Sequence, residues 1–230
     1  MLHVACLMRR VMQNLALMNA PAMNAQTQPL SSMTISAFMD ALAAAAPVPG
    51  GGAVAGVTLA QANALGAMVV GYAIGKAKFA AHDACHRATH EHFELARHEA
   101  LRLADADAAA YAKLNALWKL AKDDPARGGF LDAVRGAIAP AESTAQAALA
   151  TLNALALLVG TTSISLASDL RIAIDLAAAS ARAAQENVRI NLPSIADESE
   201  RANIRARTES LLHEAQSLAN ELQARLATNA

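Results

Sequence analysis

Cysteine and aromatic residues are scarce in this chain of 230 residues: two cysteines, one tryptophan, two tyrosines and four phenylalanines, with aromatics only 3% of the total. Two cysteines, Cys6 and Cys85, cannot form a disulfide framework, so a reducing, cytoplasmic setting is expected. A core with so few rings must be assembled from small aliphatic side chains. Hydrophobic residues make up 54%, and much of that share is alanine, the best helix former. An excess of positive charge is also missing. Nineteen Lys and Arg stand against 20 Asp and Glu, a formal net charge of -1, which removes the basic face that nucleic-acid binding needs. Strand-like alternation and fixed-period repeats are absent as well. What remains is an all-α chain long enough for one domain with a sizeable core.

Residues 1–33 differ from the rest. They hold six of the eight methionines, with Pro21, Pro29 and several amides, and show no sustained apolar period. Arg9 and Arg10 precede an apolar stretch, but Gln13 and Asn14 interrupt it where a signal peptide would be continuous. This segment reads as a disordered or mis-started extension, leaving 34–230 as the folded domain. Two uncharged runs, 53–75 and 144–168, are long enough to span a bilayer. Gln61, Asn63, Gln146 and Asn153 interrupt them, and both are rich in weakly hydrophobic Ala and Gly, so they are assigned to buried helices without a membrane.

About six helices follow from the periodicity. Thr34 or Ser32 caps the first, over 35–45, which Pro47 and Pro49 stop. The second covers 53–74, with Gly56, Ala60, Asn63, Ala67 and Gly71 on one small-residue stripe. A third stretch, 79–121, would reach roughly 65 Å if unbroken. Helices over 130–158, kinked at Pro140, and over 166–192, ended by Pro193, come next. A more charged helix over 198–226 suits the surface.

Three places invite chemistry. Gly50, Gly51 and Gly52, after Pro47-Val48-Pro49, open the second helix, where free backbone N–H groups can meet an anion. The alternative is a turn that needs unusual backbone angles. On the third helix Asp107 shares a stripe with Leu103, Ala110, Leu114 and Leu117, and so points inward while Asp105 points away. It is either a tuned acid/base or a structural acceptor. On the fifth helix Asp169, Ser180, Asn187 and Asn191 share an inner strip opposite Arg171, Asp175, Arg182, Glu186 and Arg189. Asp169 and Asn187 are about 27 Å apart along it, so the asparagines read as structural unless a second copy brings a site to them. His82, His86 and His90 span about 12 Å and cannot share one ion; they read as a solvated face, and no metal is expected.

The order of several motifs is more specific than any one of them. Residues 46–55 (Ala-Pro-Val-Pro-Gly-Gly-Gly-Ala-Val-Ala), then Gly66-Ala67-Met68-Val69, Gly75-Lys76 with Phe79, Asp107-Ala108-Ala109-Ala110-Tyr111, Pro140, Ser168-Asp169 and 187–192 (Asn-Val-Arg-Ile-Asn-Leu) resemble the formimidoyltetrahydrofolate cyclodeaminase and methenyltetrahydrofolate cyclohydrolase family over about 35–195. Thr161-Thr162-Ser163 departs from that family's Gly-Asn.

The resemblance implies a homodimeric helical enzyme acting on the 5,10-methenyl bridge of tetrahydrofolate without a cofactor. It further implies Asp107 and Asp169 as catalytic carboxylates, with Gly50, Gly51, Gly52, Lys76 and Ser168 around the substrate. Hydrolysis of the methenyl group is slightly preferred over cyclising deamination, because the chain has no room for a formiminotransferase domain. A noncatalytic oligomerisation scaffold is the alternative.

Overall fold

The structure, a computed structural model, describes residues 29–228. It contains six α-helices: α1 (Ile35–Ala43), α2 (Gly51–Gly71), α3 (Asp83–Trp118), α4 (Phe130–Ala156), α5 (Ala167–Asn191) and α6 (Glu198–Thr228). Short 3-10 turns join several of them, and no strand occurs among the described residues. The expected extension 1–33 lies mostly outside the described residues, but its last part does not. Leu30–Ser32 forms a 3-10 turn held by Asp105, whose Oδ1 accepts from the Leu30 N–H (2.6 Å) and whose Oδ2 accepts from the Ser31 hydroxyl (2.7 Å). Leu30 and Met33 then pack on Phe38, Ala53 and Ala104. The ordered domain thus begins a few residues before 34.

Helix α2 is the axis of the bundle. Its main neighbours are α3 and α5, with α4 alongside. It carries no charge over 21 residues and is the one described helix long and apolar enough to cross a membrane by length and composition. Here Leu59, Ala62, Val69 and Val70 are instead buried in the protein core. Small residues set its spacing. A Cβ on Gly56 would come 2.8 Å from the Ala100 carbonyl oxygen, and one on Gly66 would meet the Phe93 ring at 2.8 Å. Gly56 lets the α3 backbone approach α2 directly, and Gly66 leaves room for the Phe93 ring.

Both long α-helices at the flanks are shorter than the uninterrupted runs. Phe79 leaves helical geometry inside the 3-10 turn Ala77–His82, and α3 proper begins at Asp83; its 36 residues still reach about 54 Å. The second uncharged run is two elements, since α4 ends at Ala156 and Gly160 takes a left-handed φ of 80°. Pro140 lies inside α4, and its carbonyl accepts from the Thr144 hydroxyl (2.8 Å).

Two surface assignments change. His86 is buried, with Nε2 3.3 Å from the Thr161 hydroxyl, so the histidine row is only partly a solvated face. The charged side of α5 is likewise half covered, because Gln223 of α6 bonds the Arg171 carbonyl and the Asp175 carboxylate. Helix α6 buries Ile204, Ala215, Ala219, Leu222 and Leu226 on one stripe and is clamped to α4 by Arg135–Glu200 and Arg207–Glu142 pairs.

Candidate active site

Helices α2 and α5 run antiparallel, as the Ser180 hydroxyl bonding the Ala55 carbonyl (2.8 Å) and Asn187 beside Gly51 show. The start of α2 and the end of α5 therefore meet at one end of the bundle, where α3 adds Asp107, Tyr111 and Trp118. Between them lies a cavity of about 260 Å³, lined by Gly50, Gly51 and Gly52, by those three α3 residues, and by Asn187, Ile190 and Asn191. Among the described residues no cationic side chain lines it.

Of the three glycines only Gly52 is needed for space, and none of them has an unusual backbone angle. Positive φ occurs among the described residues only at Gly75 and Gly160, whereas a Cβ on Gly52 would fall on the carboxyl group of Asp107. Gly50 serves as the N-cap without a side-chain bond, so the first N–H groups of α2 have no intrahelical acceptor. The Ala53 N–H opposes ionisation loss at Asp107 by favouring its charged form. Burial outweighs it and raises the Asp107 pKa to about 6, because removing a carboxylate from water penalises the charge. A carboxyl poised near neutrality beside a cavity can both take up and give back a proton at physiological pH.

The remaining expected residues lie elsewhere. Ser168 and Asp169 open α5 at the opposite end from Asn187, about 27 Å away along the helix. Neither side chain forms a hydrogen bond among the described residues. Lys76 follows the far end of α2, exposed beside a separate, open cavity of about 630 Å³ with Tyr72, His90, Glu94 and Arg97. Within one chain the structure therefore unites Asp107 with the three glycines and separates them from Asp169, Ser168 and Lys76. No group of three side chains that could hold a metal occurs among the described residues.

Tyr111, Trp118, Asn187 and Asn191 were not among the expected site residues. A signal for two existed: Asp107, Tyr111, Leu114 and Trp118 sit at i, i+4, i+7 and i+11, so the sole tryptophan shares the face of the inward carboxylate.

The family described as formiminotransferase-cyclodeaminase matches residues 34–210. The formimidoyltransferase-cyclodeaminase of Sus scrofa is 30% identical over 197 residues, 84% of this chain and 36% of that protein, and that of Rattus norvegicus gives the same figures. The chain thus spans about a third of the length of these curated relatives. The crystal structure of formiminotetrahydrofolate cyclodeaminase from Thermotoga maritima superposes with a TM-score of 0.81 at 27% identity, covering 86% of this chain and 98% of that one.

Proposed function

Because the chain belongs to the formiminotransferase-cyclodeaminase family, we propose that its glycine-end cavity catalyses cyclising deamination of a 5-formimidoyltetrahydrofolate to the 5,10-methenyl compound. The observation that carries this reading is Asp107: a half-buried carboxyl of raised pKa, lodged where Gly52 has no side chain, in a cavity that no cationic side chain lines among the described residues. Such a wall favours a cationic amidinium. Deamination is preferred here over hydrolysis, because the Thermotoga maritima structure matched over 98% of its own chain is that of a formiminotetrahydrofolate cyclodeaminase.

In the proposed reaction N10 attacks the formimidoyl carbon of N5–CH=NH2+, forming the second C–N bond of the bridge. Asp107 takes the N10 proton and returns it to the departing nitrogen, which leaves as NH3. The original C=N pair moves onto the departing nitrogen as N10 adds, the N5 lone pair forms the new C=N of the bridge as NH3 leaves, and the charge of +1 is retained in the methenyl product. A positioned acid/base contributes about 10²–10⁴ to such a rate. The step as written uses neither redox nor metal cofactor.

Incubating the purified protein with 5-formimidoyltetrahydrofolate and following the methenyl chromophore tests the reading: appearance of the chromophore with stoichiometric ammonia supports it, and none with fully folded protein rejects it. We propose further that the protein is cytoplasmic, in keeping with its free, exposed Cys85, and pairs as a homodimer. The open face of α2, where Ala64 and Tyr72 are exposed, offers an apolar surface for a second copy. A concentration-independent monomer mass in light scattering would reject the dimer.

A further inference from the structure

Asn187 has the geometry of a ligand-reading residue rather than a structural one. Its Nδ2 donates to the Ala183 carbonyl (2.8 Å), which fixes the orientation of the amide and leaves Oδ1 without a partner among the described residues. That oxygen lies 3.5 Å from where a Cβ of Gly51 would be, and the next residue, Gly52, abuts Asp107. The two oxygen acceptors therefore flank one dipeptide at the start of α2. Asn191 supports the arrangement from behind: its Nδ2 donates to the Asn187 carbonyl (2.8 Å), while its own Oδ1 is buried and has no partner among the described residues. Every oriented side-chain amide at this wall thus turns its donor into the helix and leaves an acceptor over.

We propose that Asn187 determines substrate specificity by accepting a hydrogen bond from the formimidoyl nitrogen, the atom that departs as ammonia. This rests on the cyclodeaminase reading above. The formimidoyl group carries N–H donors, and each protonation on the way to NH3 adds one. The methenyl bridge carries none, because both nitrogens on its carbon are fully substituted. An acceptor at this place steadies the leaving group while Asp107 shuttles the proton, and it gives nothing to the methenyl compound.

The test uses the full chain and its Asn187→Ala and Asn187→Asp variants. Turnover is read from methenyl formation. Binding of 5,10-methenyltetrahydrofolate is read from quenching of Trp118, the sole tryptophan, which lines the cavity. A lost hydrogen bond to a charged group predicts that Asn187→Ala lowers turnover about ten- to a hundredfold, with methenyl affinity and melting temperature unchanged. Asn187→Asp, which keeps an acceptor oxygen, should recover part of the rate. Unchanged turnover in Asn187→Ala, or a parallel loss of methenyl affinity, would overturn the role of Asn187 while leaving the activity intact. Wild-type protein that binds the methenyl compound yet makes none from the formimidoyl substrate would overturn the activity and the role of Asn187 together.

Discussion

The two ends of the bundle are built from the same helices and differ in what those helices bring together. At the glycine end, α2 begins, α5 finishes and α3 passes between, so three elements converge on a half-open cavity beside a carboxyl of raised pKa. At the far end, the side chains of Lys76, Ser168 and Asp169 stand near helix termini with no hydrogen-bond or ion-pair partner among the described residues, and the cavity beside Lys76 is wide and open. Polar residues of the right type occur at both ends. Only the first end restricts their solvation and orientation, and catalytic tuning depends on that restriction.

The contrast is broken most severely by filling the space that Gly52 leaves. Gly52→Ala places a Cβ on the Asp107 carboxyl and should abolish methenyl formation, a loss of at least about 10², with a lower melting temperature. Gly51→Ala, whose Cβ would make only an ordinary 3.5 Å contact, should fold as well as the parent. Equal stability and activity in the two alanine variants would remove the spatial argument.

A smaller effect concerns the linkage of Asp107 to stability. Its folded pKa of about 6 lies above the ordinary 3.8, so between those values the native state binds more protons than the unfolded state and stability falls as pH rises. The burden is absent below about pH 4 and complete above about pH 6. Asp107→Asn should therefore stabilise the protein by about 2–3 kcal/mol at pH 8 and by almost nothing at pH 4. Urea denaturation at the two pH values measures it, and a pH-independent difference would contradict the assignment.

The smallest effect sharpens the comparison within one helix. Asp105, two residues from Asp107, holds the strap at Leu30 and Ser31. Asp105→Ala should lower stability by about 1–2 kcal/mol while turnover stays unchanged, and loss of turnover without loss of stability would assign Asp105 to the chemistry.

Much of this was legible beforehand, for physical reasons. The small residues on one stripe of 53–74 marked a closely packed helix, and Asp107 had to face inward because its helical neighbours Leu103 and Leu114 are core residues. The function of Gly52 was not legible, since no local pattern reveals which side chain will occupy the space above a glycine. The strap on Asp105 depends on a contact across 75 positions, invisible to periodicity. Burial of His86 escaped for a similar reason: its partner Thr161 lies in the loop after α4, far along the chain. The distance separating Asp169 from Asn187 was readable from helical rise alone, but which of the two lies beside Asp107 required the antiparallel packing of α2 and α5.

The measurement that bears most directly on the site is the rate of methenyl formation from 5-formimidoyltetrahydrofolate across pH 5 to 8, as kcat/KM, for the parent, Asp107→Asn and Asp169→Asn side by side. A site at the glycine end predicts an inflection near pH 6 in the parent, a loss of about 10²–10⁴ and disappearance of that inflection in Asp107→Asn, and a parent-like profile in Asp169→Asn. A collapse of activity in Asp169→Asn with the profile of Asp107→Asn intact would place the chemistry at the other end of the bundle.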